Sequence, residues 1–399
     1  MNVLTLTNRQ RLEIHQVMHR EGESISNHLD SSQANIAFAT FKGTERAIYF
    51  SSGYLANLAV LATLAERGDT IVSDARNHAS LIDGMRLSHA RVVIAPHNDP
   101  AALRRVLEDA ASVAPDPAAP DEPWSRERDP LTFVVVESLY SMEGDCAPLA
   151  DYMAACEAAG AVLVVDEAHA VGIYGPNGEG MIAAAGLDAN RCLSINTAGK
   201  ALGAAGALVA GPAWAIEYLV QRARPFVFST APPPAIAAAI DTSLAIVENE
   251  PWRRQRVLAR AAYLRSALRR ALGSAGTSVS PIAGGSGTAG SSVVPTGDGS
   301  VGTSVVPTGD GSAGTSVPAA GVPDGTSQII PIIVGENERA VAIADALRAD
   351  GFDVRAIRPP SVPDGTARLR ISVNAGLTER TLDEFAGLVG AALCSAACS

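Results

Sequence analysis

Residues 131–175 read LTFVVVESLYSMEGDCAPLADYMAACEAAGAVLVVDEAHAVGIYG. Two continuous apolar runs, Thr132–Glu137 and Ala161–Asp166, flank a stretch of helical character, Leu149–Ala159. Unbroken Val and Leu is what strands buried on both faces require, and a helix between two such strands is the unit of a parallel sheet. The same alternation extends outward, from about residue 45 to 215. Ala47–Phe50, Thr70–Ser73, Arg91–Ala95, Cys192–Asn196 and Gly206–Ala210 read as further strands, and Ala101–Ala111 as another covering helix. The predicted fold is α/β: a mainly parallel central sheet with helices on both faces, binding its ligand at the carboxyl ends of the strands.

The 399 residues suffice for a large core and a second, smaller domain. Hydrophobic residues at 47% with only 5% aromatics suit α/β layers better than an all-β sandwich. A net charge of −11 gives no electrostatic ground for a nucleic-acid partner, and the arginine pairs near Arg253 and Arg269 read as solvated helix faces. No charged segment followed by an apolar one opens the chain, and no apolar run could span a bilayer. A cytoplasmic protein without a membrane partner is therefore expected. The five cysteines form no CxxC pair, and their odd number argues against a disulfide framework. Cys394 and Cys398 lack the further ligands a metal ion needs, so no metal is expected.

Composition divides the chain. Residues 1–40 are divergent, 41–232 carry the large α/β domain, and 233–273 form a helical connection, with Pro233–Arg270 helical throughout. Between Gly273 and Thr326 runs a tandem, SSVVPTGDGSVG then TSVVPTGDGSAG, decaying to TSVPAAG. Each unit is too small and polar to bury a core, so 274–327 reads as a flexible surface insertion made by tandem duplication. Residues 328–399 then supply a strand (Gln328–Val334), a helix (Asn337–Asp350), a strand ending near Ile357, another at Ala367–Val373 and a closing helix. That is a small α+β domain.

The chemistry-bearing residues fall just after the strands. Asp166 closes an apolar strand, which makes it either a ligand-facing carboxylate or a helix N-cap. With His169 it spells DEAH, but the helicase reading needs an upstream GxxxxGK[ST] loop, and the Gly199-Lys200 pair lies downstream and is followed by Ala201. Lys200, in NTAGKALG, follows a buried strand among small residues. A desolvated amine there would be nucleophilic enough to condense with a carbonyl, although a surface lysine fits the same words. Ser52-Gly53-Tyr54 is a turn between a strand and an apolar helix, where backbone N–H groups can dock a phosphate. His78 follows another strand and is either structural or a ring-stacking imidazole. Together these residues describe a site for pyridoxal 5′-phosphate: a phosphate cup, a stacking imidazole, an acid for the ring nitrogen and a lysine for the aldehyde.

The order and wording of FKGTERAIYFSSGYLAN, DARNHASLIDG, ESLYSMEGDCAPL, VVDEAHAVGIYG, NTAGKALG, FSTAPPP and AIRPPSVPDGTARLRISVNA resemble the α-oxoamine synthase branch of fold-type I pyridoxal-phosphate enzymes, from about Phe41 to Ala392. The resemblance implies that Gly53 and Tyr54 bind the cofactor phosphate, that His78 stacks on the ring and meets substrate, and that Ser141 contacts the cofactor. It implies Asp166 at the pyridine nitrogen, His169 at the phenolic oxygen, Thr197 at the phosphate and Lys200 as the Schiff-base lysine. Ser229 and Thr230 would reach a phosphate across a homodimer interface, and Arg358 and Ser361 would bind substrate. The implied reaction joins L-alanine to pimeloyl-CoA, or its carrier-protein equivalent, with loss of carbon dioxide, a step of biotin biosynthesis. Lys200 would be both anchor and general acid–base. Two alternatives stand beside it: a sister enzyme joining glycine or serine to another acyl-CoA, and a cofactor-binding remnant with impaired turnover. The front end departs from the family pattern. Met1–Thr40 lacks its SNDYLGL-like strand and GSGGSR-like loop, and only His28–Phe41 resembles the helix before FKGTE, so a chain several tens of residues short at this end is expected.

Overall fold

The computed structural model describes residues 31–112, 130–274 and 321–395; the tandem repeat, most of the divergent first segment and Cys398 lie outside them. The chain forms two compact units, Met1–Ser138 with Ala147–Glu250, and Leu139–Cys146 with Pro251–Ser399.

In the first unit, β1 (Arg46–Phe50), β2 (Thr70–Asp74), β3 (Arg91–Ala95), β4 (Thr132–Glu137), β5 (Val162–Asp166), β6 (Cys192–Thr197) and β7 (Ala207–Gly211) make one sheet in the order β1-β7-β6-β5-β4-β2-β3. The pairs from β6 through β5, β4 and β2 to β3 are parallel, and β7 runs antiparallel to both β6 and β1. The reversal has a simple cause. Parallel neighbours need a crossover of about a dozen residues or more, and residues 198–206 are too few to make one. The mainly parallel sheet read from the apolar runs is present, with strand ends shifted by a residue at most.

Helices α1 (Ser31–Lys42), α2 (Gly53–Leu64), α3 (Ala79–Ser88), α4 (Pro100–Ser112), α5 (Leu149–Ala159), α6 (Met181–Ala184), α7 (Ala213–Arg222), α8 (Arg224–Val227) and α9 (Pro234–Asn249) cover the sheet. Strand pleating sorts the core onto two faces. Ala207 and Val209 of β7 join Leu61, Leu81, Met85 and Phe133 on the α2/α3 side. Leu208 and Ala210 join Phe38, Phe41, Ile240 and Leu244 on the α1/α9 side. Leu81, Val135, Leu193 and Ile240 are fully buried, each worth roughly 1.5–3 kcal/mol of transfer free energy.

The stretch expected to be helical from Pro233 to Arg270 is two helices, α9 and α10 (Pro251–Ser274), separated at Glu250. Pro251 has no N–H to continue the ladder and disfavours helical geometry in the residue before it. The second unit adds β8 (Ile329–Gly335), α11 (Asn337–Ala349), β9 (Arg355–Ile357), β10 (Ala367–Ser372) and α12 (Glu379–Ser395), with an antiparallel sheet in the order β8-β10-β9. Pro331 is tolerated within β8 because that strand is an edge. From α10, the buried Arg265 donates to the carbonyls of Ser327 (2.6 Å) and Ile329 (2.8 Å), and Arg269 donates to Asp324 (2.6 Å). These bonds fasten the chain where it returns toward β8.

Candidate active site

Lys200 sits in the tight turn that reverses the chain between β6 and β7. Backbone bonds from Ala198 N to Gly206 O (2.9 Å), Ala204 N to Ala198 O (2.9 Å) and Gly203 N to Lys200 O (3.1 Å) close that turn. The lysine is exposed, although Ala198 and Leu202 of the same turn are buried against Ile240 and Leu244, which corrects the picture of a desolvated amine. Its Nζ lies 2.8 Å from His169 Nε2. His169 follows β5, the parallel neighbour of β6, so adjacent strand ends bring the pair together. Asp166, the last residue of β5, is 7% exposed. One carboxylate oxygen accepts the Ala168 N–H at 2.8 Å, the local cap that a plain structural reading asks for. The other accepts from Asn57 Nδ2 at 2.9 Å.

The start of α2 approaches the end of β6. Ser52 is its N-cap, with Oγ accepting the Leu55 N–H at 3.2 Å, which leaves the N–H groups of the first turn at the helix end. A Cβ on Gly53 would stand 2.7 Å from Thr197 Oγ1, so only glycine lets helix and strand end meet. Tyr54 turns outward, 46% exposed, and donates its hydroxyl to Asp83 Oδ2 at 2.5 Å.

His78 caps α3. The turn before it is fixed from both sides: Asp74 accepts from His97 (2.9 Å) and from the N–H groups of Arg76 (2.8 Å) and Asn98 (3.1 Å), and Asn77 donates to Ser73 Oγ and to Val135 O. Burial works to raise the Asp74 carboxyl, but the His97 bond and charge and the two amides outweigh it and hold the group below its ordinary value. His78 Nδ1 accepts the Ser80 N–H at 3.2 Å and lies 2.7 Å from Ser80 Oγ. Burial pushes this imidazole below its ordinary value; Asp166 opposes the shift and Lys200 adds to it. Asn57 Nδ2 donates to Ser80 Oγ at 2.8 Å as well as to Asp166, so one chain of hydrogen bonds runs from Asp166 to His78.

Ser229 and Thr230 line a cleft of about 510 Å³ with Tyr49, Phe50, Ser51 and Phe226; Lys200, His169, His78 and Asp166 are not part of its lining. Ser141, Arg358 and Ser361 belong to the second unit. The Ser141 carbonyl accepts from Arg370 Nε, and Ser361 N–H donates to Arg358 O at 3.1 Å, closing the turn of the RPPS segment. Arg368, 4% exposed, holds the same Ser141 loop through Met142 O and Glu143 Oε1, both at 3.3 Å. Sequence reasoning passed over Asn57, Ser80 and Arg370. The signals were small: a lone amide in the apolar GYLANLAVLATL helix, a serine two places after His78, and an arginine two places from another on one face of a strand.

Burial above all pushes the thiols of Cys156 and Cys192 up to about 12, so neither offers a thiolate for acyl transfer. Among the described residues no three His, Cys, Asp or Glu side chains are grouped to hold a metal ion, and no helix is long and apolar enough to cross a membrane. The polar groups that do converge fit pyridoxal phosphate. A helix end free of side-chain bulk suits a phosphate, a carboxylate with unused lone pairs suits a pyridinium N–H, and an accessible amine suits the aldehyde.

Sheet order and strand-end residues define the class, a pyridoxal-phosphate-dependent enzyme of fold type I. Residues 8–285 match the model of the family "aminotransferase class I and II". The 8-amino-7-oxononanoate synthases of Burkholderia thailandensis and Cupriavidus pinatubonensis are 40% and 36% identical to this chain, over 84% and 89% of it and 69% and 73% of their own lengths. The chain belongs to the family of 8-amino-7-oxononanoate synthases. Among solved structures, serine palmitoyltransferase from S. paucimobilis superposes with a TM-score of 0.72 at 27% identity, over 92% of this chain and 77% of that one. The 8-amino-7-oxononanoate synthase from Francisella tularensis shares the fold, with a TM-score of 0.66 at 24% identity over 98% of this chain and 94% of that one.

Proposed function

We propose that this chain condenses L-alanine with pimeloyl-CoA, or pimeloyl carrier protein, to give 8-amino-7-oxononanoate, carbon dioxide and the free thiol. The observation that carries the reading is the Lys200–His169 pair at 2.8 Å on strand ends adjacent to the buried Asp166. It is joined by the 36–40% identity to synthases of that name. Bound pyridoxal phosphate supplies a protonated pyridine ring that draws electron density from the amino acid's α-carbon.

The chain's own residues do the rest. Ser52, Gly53 and Tyr54, at the positive end of α2, bind the phosphate together with Thr197. Asp166 keeps the proton on the ring nitrogen; His78 packs on the ring face and borders the substrate. His169 orients the phenolic oxygen and the Lys200 amine. Lys200 holds the cofactor, takes the α-proton of L-alanine and returns one after carbon dioxide leaves. In the net reaction the alanine α-carbon forms a bond to the acyl carbon, the C–S bond breaks and the thiol departs, then the bond to the carboxylate breaks. Ser141 contacts the cofactor, and Arg358 and Ser361 bind substrate. The enzyme works in the cytoplasm as a homodimer in which Ser229 and Thr230 reach the partner subunit's phosphate. Of the segments proposed to carry these roles, 41–232 holds the cofactor site and 328–399 the RPPS segment, with 233–273 joining them, 274–327 inserted and 1–40 divergent.

The test is reconstitution with pyridoxal phosphate followed by mass-spectrometric detection of product from L-alanine and pimeloyl-CoA, with glycine and serine and other acyl chain lengths in parallel. Product from L-alanine and pimeloyl-CoA, lost along with the visible absorbance of the lysine-bound cofactor in Lys200→Ala, supports the reading. Preference for glycine or serine, or cofactor binding without any product, would sink it.

A further inference from the structure

The hydrogen bonds between Asp166 and His78 have a fixed direction. Asn57 is 2% exposed and Ser80 is 1% exposed, so neither relies on solvent. Asn57 spends both amide hydrogens, one on Asp166 Oδ2 (2.9 Å) and one on Ser80 Oγ (2.8 Å). The reverse amide orientation would set its oxygen against the Asp166 carboxylate, two acceptors in contact. Ser80 Oγ therefore accepts from Asn57, and its own hydrogen is left for His78 Nδ1 at 2.7 Å. The Ser80 N–H points at the same nitrogen from 3.2 Å. With two donors converging on Nδ1, that nitrogen is an acceptor, and the ring proton sits on Nε2.

We propose that Asn57 and Ser80 are positioning residues that hold His78 neutral, with its proton on Nε2, and tie the orientation of its ring to the carboxylate of Asp166. The proposal rests on the functional reading above, in which His78 packs on the cofactor and Asp166 meets its ring nitrogen. One relay then sets both contacts, so the ring face and the ring nitrogen are addressed in register. A protonated Nδ1 would have to give up both donors, the Ser80 hydroxyl at 2.7 Å and the more distant Ser80 N–H at 3.2 Å, and the shorter hydroxyl bond is the larger loss. The neutral imidazole follows from this geometry, and the downward shift that burial and Lys200 give His78 acts in the same sense.

The decisive measurement needs neither cofactor nor turnover. In the apoprotein with ¹⁵N-labelled histidine, long-range ring correlations report the tautomer and titration midpoint of His78, assigned by loss of its signals in His78→Asn. The wild type is expected to show the Nε2–H form at neutral pH. In Ser80→Ala, which removes one oxygen and leaves the backbone N–H, the Nδ1–H form should appear and the midpoint should rise by about half to one pH unit, the span of one neutral hydrogen bond. Asn57→Ala should move both in the same direction, because the Ser80 hydroxyl is then free to turn; Ser80→Thr, which keeps the hydroxyl, should restore the wild-type tautomer. In the reconstituted enzyme, Ser80→Ala should lower kcat about two- to tenfold and leave the KM for L-alanine nearly unchanged. An unchanged tautomer and midpoint in both Ser80→Ala and Asn57→Ala would overturn the relay. A wild-type protein that makes no product would count against the functional reading and leave the tautomer result standing.

Discussion

Lys42 and Glu167 are both buried, at 4% and 0% exposure, and are joined as an ion pair in which Lys42 also donates to the Glu179 carbonyl. Glu167 uses its other oxygen to accept the Ile182 N–H at 3.0 Å. It stands between Asp166 and His169 in sequence, so the pair fixes the loop that carries two proposed site residues. Two charges taken out of water are stable only together. Lys42→Met is expected to cost about 3–5 kcal/mol in urea unfolding, because it strands the Glu167 carboxylate. Lys42→Met combined with Glu167→Gln is expected to recover part of that loss, and a double variant no more stable than the single would contradict the pairing. His78 gives the complementary pH prediction. Its folded value lies below the ordinary 6.5, so below that value the unfolded chain binds more protons and stability falls with falling pH. His78→Gln should flatten that acid limb, as read from melting temperatures between pH 5 and 8.

At the scale of elements, α2 and α3 meet through Gly84. A Cβ there would stand 2.9 Å from Asn57 O and 3.2 Å from Leu58 Cα, both backbone atoms that cannot rotate away. Gly84→Ala gains about 1 kcal/mol in helix propensity. It should nonetheless destabilise the protein by about 1–3 kcal/mol, because the helices must part. A thermal melt equal to or above wild type would show that they can part freely. The elements themselves were legible in the sequence for a physical reason: strands buried on both faces are mostly apolar. Phe133–Val136 and Val162–Val165 are unbroken runs of Phe, Val and Leu, whereas Cys192–Thr197 carries Ser194 and Asn196, which are buried as well. The direction of β7 was less so, since strand polarity lies in the length of a connection and not in the strand. The break at Glu250 was carried by Pro251 alone, in a stretch otherwise uniformly helical. In the site, Lys200, His169 and Asp166 declared themselves by standing at strand ends. Asn57 and Ser80 did not, because their partners come from elements that only the folded chain brings together.

For the whole molecule, the segment between α10 and β8 is the feature with the plainest consequence. Arg269 reaches Asp324 and Arg265 reaches Ser327 and Ile329, so the chain leaves and returns beside one helix. Closing a loop costs free energy that grows only with the logarithm of its length. Replacing residues 275–320 with a short Gly/Ser linker of about eight residues is expected to raise stability by up to about 2 kcal/mol. Turnover of L-alanine and pimeloyl-CoA should stay within twofold of wild type; a collapse of either would mean that the segment has a task of its own. The arginine clip also makes this place useful. A fluorescent protein, an affinity handle or a surface-coupling sequence grafted between Ser274 and Gly321 would pull first on α10 and its arginines, in the unit that does not contain Lys200. Such a graft would stand remote in the chain from the turn that holds the amine.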